Sequence, residues 1–326
     1  MISAVLVTGG AGYIGSHVVR QLSEGGHKVI VVDDLSKGFP EAVIGGELVV
    51  GDSGDQKLIE TLLKKHGIEA VMHFAAHTVV PESVAEPLKY YHNNTLKAHR
   101  LIAACVNTGV KHFIFSSTAA VYGIPASSTA SEESPTLPIN PYGTSKLMTE
   151  WILRDTAAAT NLGHVTLRYF NVAGSDPEGR IGQSTPEATL LIKVACEAAC
   201  GKRDGVTIFG TDFSTADGTG VRDYIHVEDL AQAHLKALSY LEGGGESTTL
   251  NCGYGHGYSV RVVLDALQRV SGGKLTIRET ERRPGDPPIL VAQADRIRNV
   301  LGWSANYDEL DAIVEHSLNW ERNPRY

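Results

Sequence analysis

The stretch "AVLVTGGAGYIGSHVVRQL" constrains this chain more than any other. An apolar run from Ala4 to Thr8 enters four glycines within seven residues, Gly9, Gly10, Gly12 and Gly15, and a helix-like pattern follows. A strand that turns into a helix through such a loop predicts a phosphate cradle. One glycine permits the tight turn, one lets backbone approach a pyrophosphate, and one lets helix and strand pack closely. The helix amino terminus then offers unpaired N–H groups and the positive end of its dipole. Glycine-rich turns also simply connect elements, so the context decides. The second apolar run, "KVIVVD", ends on Asp33, 18 residues after Gly15, with Asp34 behind it. A carboxylate there can accept from a ribose 2′-hydroxyl and repels a 2′-phosphate, which favours NAD over NADP. The alternative is a pair of solvated turn residues.

The rest of the first half keeps this rhythm. "ELVVGD", "AVMHFAA", "HFIFSS" and "HVTLRYFN" are further strand candidates, apolar nearly throughout. Strands covered on both faces have that character. Helical patterns such as "QKLIETLLKKHG" lie between them. The fold class is α/β, a doubly wound parallel sheet of the Rossmann type with a smaller carboxyl-terminal α/β domain. Residues 1–173 form the expected dinucleotide domain and residues 174–326 the second, with about 221–252 able to pack back on the first. The 326 residues, 42% hydrophobic, suffice for such a core.

Composition narrows the partners. A formal net charge of −8 gives no basic field for nucleic acid or an anionic membrane. No apolar run is long enough to span a bilayer, and "MISAVLVTGG" lacks a secretory n-region. Four scattered cysteines suggest no disulfide framework or metal motif, and the thirteen histidines lack metal spacing. A cytoplasmic protein without metal is expected.

A second constellation carries chemistry. "NPYGTSKLMTEWIL" places Tyr142 and Lys146 four residues apart, one helical turn on one face. Upstream, "FIFSSTAAVYG" ends a strand on Ser116, Ser117 and Thr118, where doubly wound sheets bind ligands. A lysine ammonium one turn away, and a positive nicotinamide ring, are expected to lower the pKa of Tyr142, making the phenolate a base toward a substrate alcohol, with Thr118 bonded to the same oxygen. A bare Tyr-x-x-x-Lys also arises by chance, with a packing Tyr and a surface Lys.

Taken in order, these motifs resemble the extended short-chain dehydrogenase/reductase superfamily, and more narrowly its nucleotide-sugar epimerases. The likeness runs nearly the whole chain through "TGGAGYIGSH", "HFAA", "VPESV", "YYHNN", "FSSTAAVYG", "YGTSK", "LRYFNVAG", "DGTGVRDYIHVEDLA" and "RRPGDPP". The resemblance implies Tyr142 as catalytic base and acid, Lys146 as its partner and Thr118 as the helper hydroxyl. It implies Gly9, Gly12, Tyr13, Ile14 and Gly15 at the pyrophosphate, Asp33 and Asp34 with the following loop at the ribose, and Asp52 and Ser53 at the adenine. Phe74, Ala75, Ala76, Asn93, Lys146 and Phe170 line the rest of the cofactor. Asn171, Arg222, Arg283 and Asp286, with Thr207, Ile208 and Phe209 beside the uracil, face a UDP-sugar. Planar, permanently charged arginine forks suit a diphosphate.

The implied activity is reversible C4 epimerisation of UDP-glucose and UDP-galactose. Hydride passes to NAD, a 4-keto sugar turns its other face, and the same hydride returns, in a homodimer. Four positions depart from the common bacterial pattern: Thr118 where Ser is common, with the hydroxyl kept, Thr78 for Lys, Leu190 for a polar residue, and Leu290 where a bulky Tyr can narrow the sugar pocket. Leu290 leaves room for N-acetylated sugars. Rival readings are a 4,6-dehydratase, an epimerase of another UDP-sugar such as a pentose or uronic acid, and a nonenzymatic NAD-responsive protein. Ala119 and Ala120 stand where the dehydratase needs an acidic pair.

Overall fold

Seven apolar runs build one sheet in the computed structural model, which describes residues 4–125, 127–283 and 285–326. They are β1 (Ala4–Thr8), β2 (Lys28–Asp33), β3 (Glu47–Val50), β4 (Ile68–His73), β5 (His112–Thr118), β6 (Gly163–Tyr169) and β7 (Thr248–Cys252). All pair in parallel, in the order β3-β2-β1-β4-β5-β6-β7. The order reverses between β1 and β4, and the crevice outside the strand carboxyl ends there is where such sheets bind ligands. Alternate residues feed opposite cores. Val5 and Val7 lie in one cluster, Leu6 in the other, which is why the strands read as continuous apolar runs.

Helices cover both faces: α1 (Tyr13–Glu24), α2 (Gln56–His66), α3 (Lys97–Thr108), α4 (Pro141–Ala159) and α5 (Val227–Glu242). On one face α1 packs against α5, and on the other α2 packs against α3. Residues 221–252 thus supply α5 and the last strand of the large sheet. The remaining strands form small sheets. Val206–Phe209 pairs with Ile277–Thr280, and Asn171–Ala173 with Tyr224–His226. Val221–Arg222 joins Tyr258–Ser259, Ile289–Ala292 and Thr129–Ala130. No helix among the described residues is long and apolar enough to cross a membrane.

One segment has no counterpart in the sequence reading. Residues 80–96 form three successive helical turns, the last with the wider π pitch over Tyr91–Leu96. Pro81 and Pro87 break the helical pattern, and the i to i+5 period escapes a search for 3.6-residue periodicity. The turn aims Asn94 into the fold. Its Oδ1 accepts from the His77 N–H at 2.9 Å, and its Nδ2 donates to the His77 carbonyl and the Ser145 hydroxyl at 3.0 and 3.1 Å.

Candidate active site

The glycine loop folds as a cradle with no room for a side chain at Gly9 or Gly15. Gly9 has φ +72°, and a Cβ there would lie 2.5 Å from the Ala75 nitrogen. A Cβ on Gly15 would lie 2.2 Å from the Gly9 carbonyl oxygen. Gly12 caps α1 without a side-chain hydrogen bond, so the first N–H groups of a twelve-residue helix stay open to an anion. Nearby, both Asp33 oxygens are engaged: Oδ2 accepts from the Ala11 N–H at 3.0 Å and Oδ1 from the Leu35 N–H at 2.9 Å. Burial pushes its carboxyl up while these N–H groups pull it down.

One cleft gathers Gly9, Gly12, Asp33, Asp34, Ser53, Phe74, Ala75, Ala76 and Asn93. Ser36 and Lys37, from the expected loop after Asp33, line it too, as do His77 and Lys97, which were not anticipated. Lys97 approaches Asp52 at 2.9 Å, and the Gly54 N–H donates to the other Asp52 oxygen at 2.8 Å. Hydrogen bonding and charge at Lys97 draw the Asp52 carboxyl below its ordinary value despite its partial burial. A cradle that a Cβ on Gly9 or Gly15 would fill, an open helix terminus and a carboxylate at the end of β2 fit a dinucleotide. The Tyr13 hydroxyl is turned away from this cleft's lining, donating to the Gly174 carbonyl at 2.7 Å. Thr78 is exposed beside His77.

Tyr142 stands in the first turn of α4. Pro141 opens that helix, and the Asn140 side chain caps it by accepting from the Gly143 N–H at 2.9 Å. Tyr142, Lys146 and Thr118 are all buried, and the Thr118 hydroxyl is hydrogen-bonded to the Tyr142 hydroxyl. Lys146 Nζ donates to the Ser116 carbonyl at 2.8 Å and lies 5.0 Å from the Phe115 ring centroid. The expected lowering of Tyr142 is corrected here. Burial raises it, and Thr118 is what opposes the rise. Lys146 itself is pushed down to about 7 by burial, with Glu150 opposing, so the same dry site that strengthens charge–charge attraction also discourages the charge.

That depression links to stability. Lys146 binds fewer protons folded than unfolded between about pH 7 and its ordinary 10.5, so its contribution to stability rises with pH across that window. Below pH 7 the cost of the buried ammonium is fully present. Lys146→Met is therefore expected to stabilise the dinucleotide-free protein at pH 6 by on the order of a few kcal/mol. Urea unfolding should show the gain shrinking as pH climbs above 7.

A second group of site residues assembles from the carboxyl-terminal half. Arg283 stacks on Phe209, with the guanidinium carbon 3.7 Å from the ring centroid. Arg222 lies 3.8 Å from Asp286 and donates to the Val221 carbonyl at 2.8 Å. Burial lowers Arg222, and Arg283 lowers it further. Two guanidinium groups near enough to feel each other's charge, with one carboxylate beside Arg222, present surplus positive charge, which suits a diphosphate. Asn171 opens the short strand Asn171–Ala173, its N–H donating to the Asp223 carbonyl, next to Arg222 in the chain, at 2.9 Å. Leu290 pairs in register with Arg222 and packs, with Phe170, on Ala119, Tyr122 and Leu147. Thr207 is half-buried, whereas the Ile208 side chain is 1% exposed and belongs to the main core. Leu190 is exposed at the start of the helix Leu191–Ala199.

The other reactive groups are accounted for structurally. Cys105, Cys196, Cys200 and Cys252 are free thiols. His226 accepts from the Glu228 N–H and stacks on Tyr307. Among the described residues no cluster of three or more His, Cys, Asp or Glu side chains could hold a metal ion.

Known proteins resemble this chain along most of its length. The NAD dependent epimerase/dehydratase family matches residues 5–253. The UDP-glucose 4-epimerase of Azospirillum brasilense is 56% identical over 320 residues, which cover 98% of this chain and 92% of that protein. The crystal structure of UDP-glucose 4-epimerase from Brucella ovis in complex with NAD superposes with a TM-score of 0.96 at 41% identity, over 98% of both chains. The UDP-Glc/GlcNAc 4-epimerase from Campylobacter jejuni is 48% identical with a TM-score of 0.87, over 98% of this chain and 99% of that one. With its glycine cradle, its Tyr142–Lys146 helix and these likenesses along almost its entire length, the chain belongs to the NAD dependent epimerase/dehydratase family.

Proposed function

We propose that the protein interconverts UDP-glucose and UDP-galactose by epimerisation at C4, around a tightly held NAD that is not consumed. The observation that carries this reading is the hydrogen-bonded Tyr142–Thr118 pair, with Lys146 one turn on. The dinucleotide cradle lies on the first-half side of the site and the Arg222–Arg283 pair comes from the second half.

NAD, when bound, supplies the acceptor and then the donor of the C4 hydride. Gly9, Gly12, Gly15, Tyr13 and Ile14 would hold its pyrophosphate, Asp33 its ribose, and Asp52 and Ser53 its adenine. Tyr142 takes the proton of the sugar 4-hydroxyl, while Thr118 bonds that oxygen. Arg222 and Arg283 clamp the diphosphate and Asp286 accepts from the nucleotide ribose. The 4-keto sugar, gripped only at its nucleotide, would rotate to present the other face of C4 for hydride return, and Tyr142 would give the proton back to the 4-oxygen. Residues 1–173 carry the cofactor and 174–326 the nucleotide sugar, with about 221–252 crossing back. Ala119 and Ala120 follow Thr118 with no acid for an elimination, which favours epimerisation over dehydration.

The test is conversion of UDP-galactose to UDP-glucose by purified protein with no NAD added. Conversion is expected. Acid-releasable NAD without conversion would overturn the sugar assignment, and protein that holds no NAD would overturn the resident cofactor.

A second reading rests on Leu290, whose side chain shares the Phe170–Tyr122 cluster and is smaller than an aromatic ring. UDP-N-acetylglucosamine is expected to be turned over as well. Absence of turnover under conditions where UDP-galactose reacts would remove it. The protein is further proposed to act as a cytoplasmic homodimer through α3 and α4, where Val106 and Trp151 are exposed.

A further inference from the structure

Three successive residues at the end of β5 each engage one of three residues spaced a turn apart on α4. The Ser116 carbonyl accepts from Lys146, the Ser117 hydroxyl donates to Glu150, and Thr118 bonds Tyr142. Tyr142, Lys146 and Glu150 therefore share one helix face. The reading above gives Glu150 no task, yet it is 6% exposed and heavily bonded. Its carboxylate accepts from Arg168 Nε at 3.0 and 3.2 Å and from Arg168 Nη2 at 2.5 Å. Arg168, on β6, donates in turn to the Tyr122 hydroxyl at 3.0 Å, which donates to Asn251 on β7 at 2.6 Å. A buried ion pair is weak evidence for stability, because apolar residues of similar volume often serve as well. Its place behind Lys146 points to another use.

We propose that Glu150, braced by Arg168, is a positioning residue that locks α4 to the end of β5 and keeps Lys146 charged in its dry site.

The surroundings of Lys146 leave that task to Glu150. His73 approaches from β4 and is held neutral by burial, pushed down to about 3. On the far side of Ser116, His234 from α5 is likewise pushed down to about 4. Tyr169 from β6 is pushed up by burial and stays neutral, as does Tyr142 until it gives up its proton. Arg168 is engaged by Glu150 and by the Tyr122 hydroxyl. Burial drives Lys146 toward the neutral amine, and Glu150 is the charge that opposes it.

This inference rests on the role proposed for Lys146, so the primary readout uses no substrate. The NAD-loaded protein is labelled with 13Cε-lysine, the Lys146 signal is assigned with Lys146→Met, and it is titrated in the parent protein and in Glu150→Gln. In Glu150→Gln the Lys146 midpoint is expected to fall by about one pH unit. The high-pH limb of kcat/KM should move to lower pH by the same amount, costing about tenfold in activity above that limb and far less below it. If Glu150→Gln fails to fold because Arg168 is left unpaired, Glu150→Gln/Arg168→Met decides. It removes both charges and is expected to shift the midpoint the same way by a smaller amount. An unmoved Lys146 midpoint in the folded variant would overturn the proposal, whether activity is retained or falls equally at every pH. A shifted midpoint with no activity toward any UDP-sugar in the parent protein would instead overturn the role of Lys146 and leave the charge coupling intact.

Discussion

Tyr142→Phe is expected to lower turnover of UDP-galactose by about 10²- to 10⁴-fold, the range that a positioned acid–base group contributes, while bound NAD stays at the parent level. The substitution removes one oxygen and keeps the ring that fills the buried site. Lys146 stays anchored on the Ser116 carbonyl, so the cofactor cradle is untouched. The effect is large because no other group can take the sugar proton. Thr118 is bonded to Tyr142 and accepts from the Ala120 N–H at 3.1 Å, and a threonine hydroxyl is no base at neutral pH. A coupled assay for UDP-glucose and acid release of NAD check both halves. A variant retaining a tenth of the activity would contradict the assignment of Tyr142.

Gly15→Ala is expected to cost about 1–3 kcal/mol of folding stability and to abolish retention of NAD. Its Cβ would lie 2.2 Å from the Gly9 carbonyl oxygen and 2.9 Å from the Gly10 Cα. Both neighbours are backbone in the loop that cradles the pyrophosphate, so relief requires the loop itself to move. Gly12→Ala is the internal comparison, since its Cβ would meet only the Gly9 oxygen at 3.3 Å. That variant should keep most of its stability. Urea unfolding and NAD content after gel filtration measure the two effects. Parent-level NAD in Gly15→Ala would contradict the cradle.

The large sheet was legible because its strands are buried on both faces. Val5 to Thr8, Val29 to Asp33 and Phe113 to Thr118 are buried at every position, and such runs need no alternation to be recognised. The cofactor cleft was legible because glycine and aspartate carry their meaning locally, through backbone space at Gly9 and Gly15 and reach at Asp33. What escaped the sequence depends on burial and on distant partners. Glu150 one turn after Lys146 looks like a surface helical pair until β6 brings Arg168 over it. Spacing placed Lys146 beside Tyr142, but only the fold shows both so deeply buried that Tyr142 rises and Lys146 falls. The hydroxyl of Tyr13 is spent on Gly174, 161 residues away, and Ile208 is claimed by the core. The π turn at Tyr91–Leu96 has no apolar period to betray it.

A closed hydride loop has one direct test. UDP-galactose deuterated at C4 is incubated with the purified protein, and the UDP-glucose formed is analysed by mass and NMR. Deuterium retained at C4, with none appearing in water or in added NAD, is the expected result. Hydrogen at C4 of the product, or deuterium passed to free NAD, would contradict an epimerase that takes the hydride and returns it within one bound cofactor.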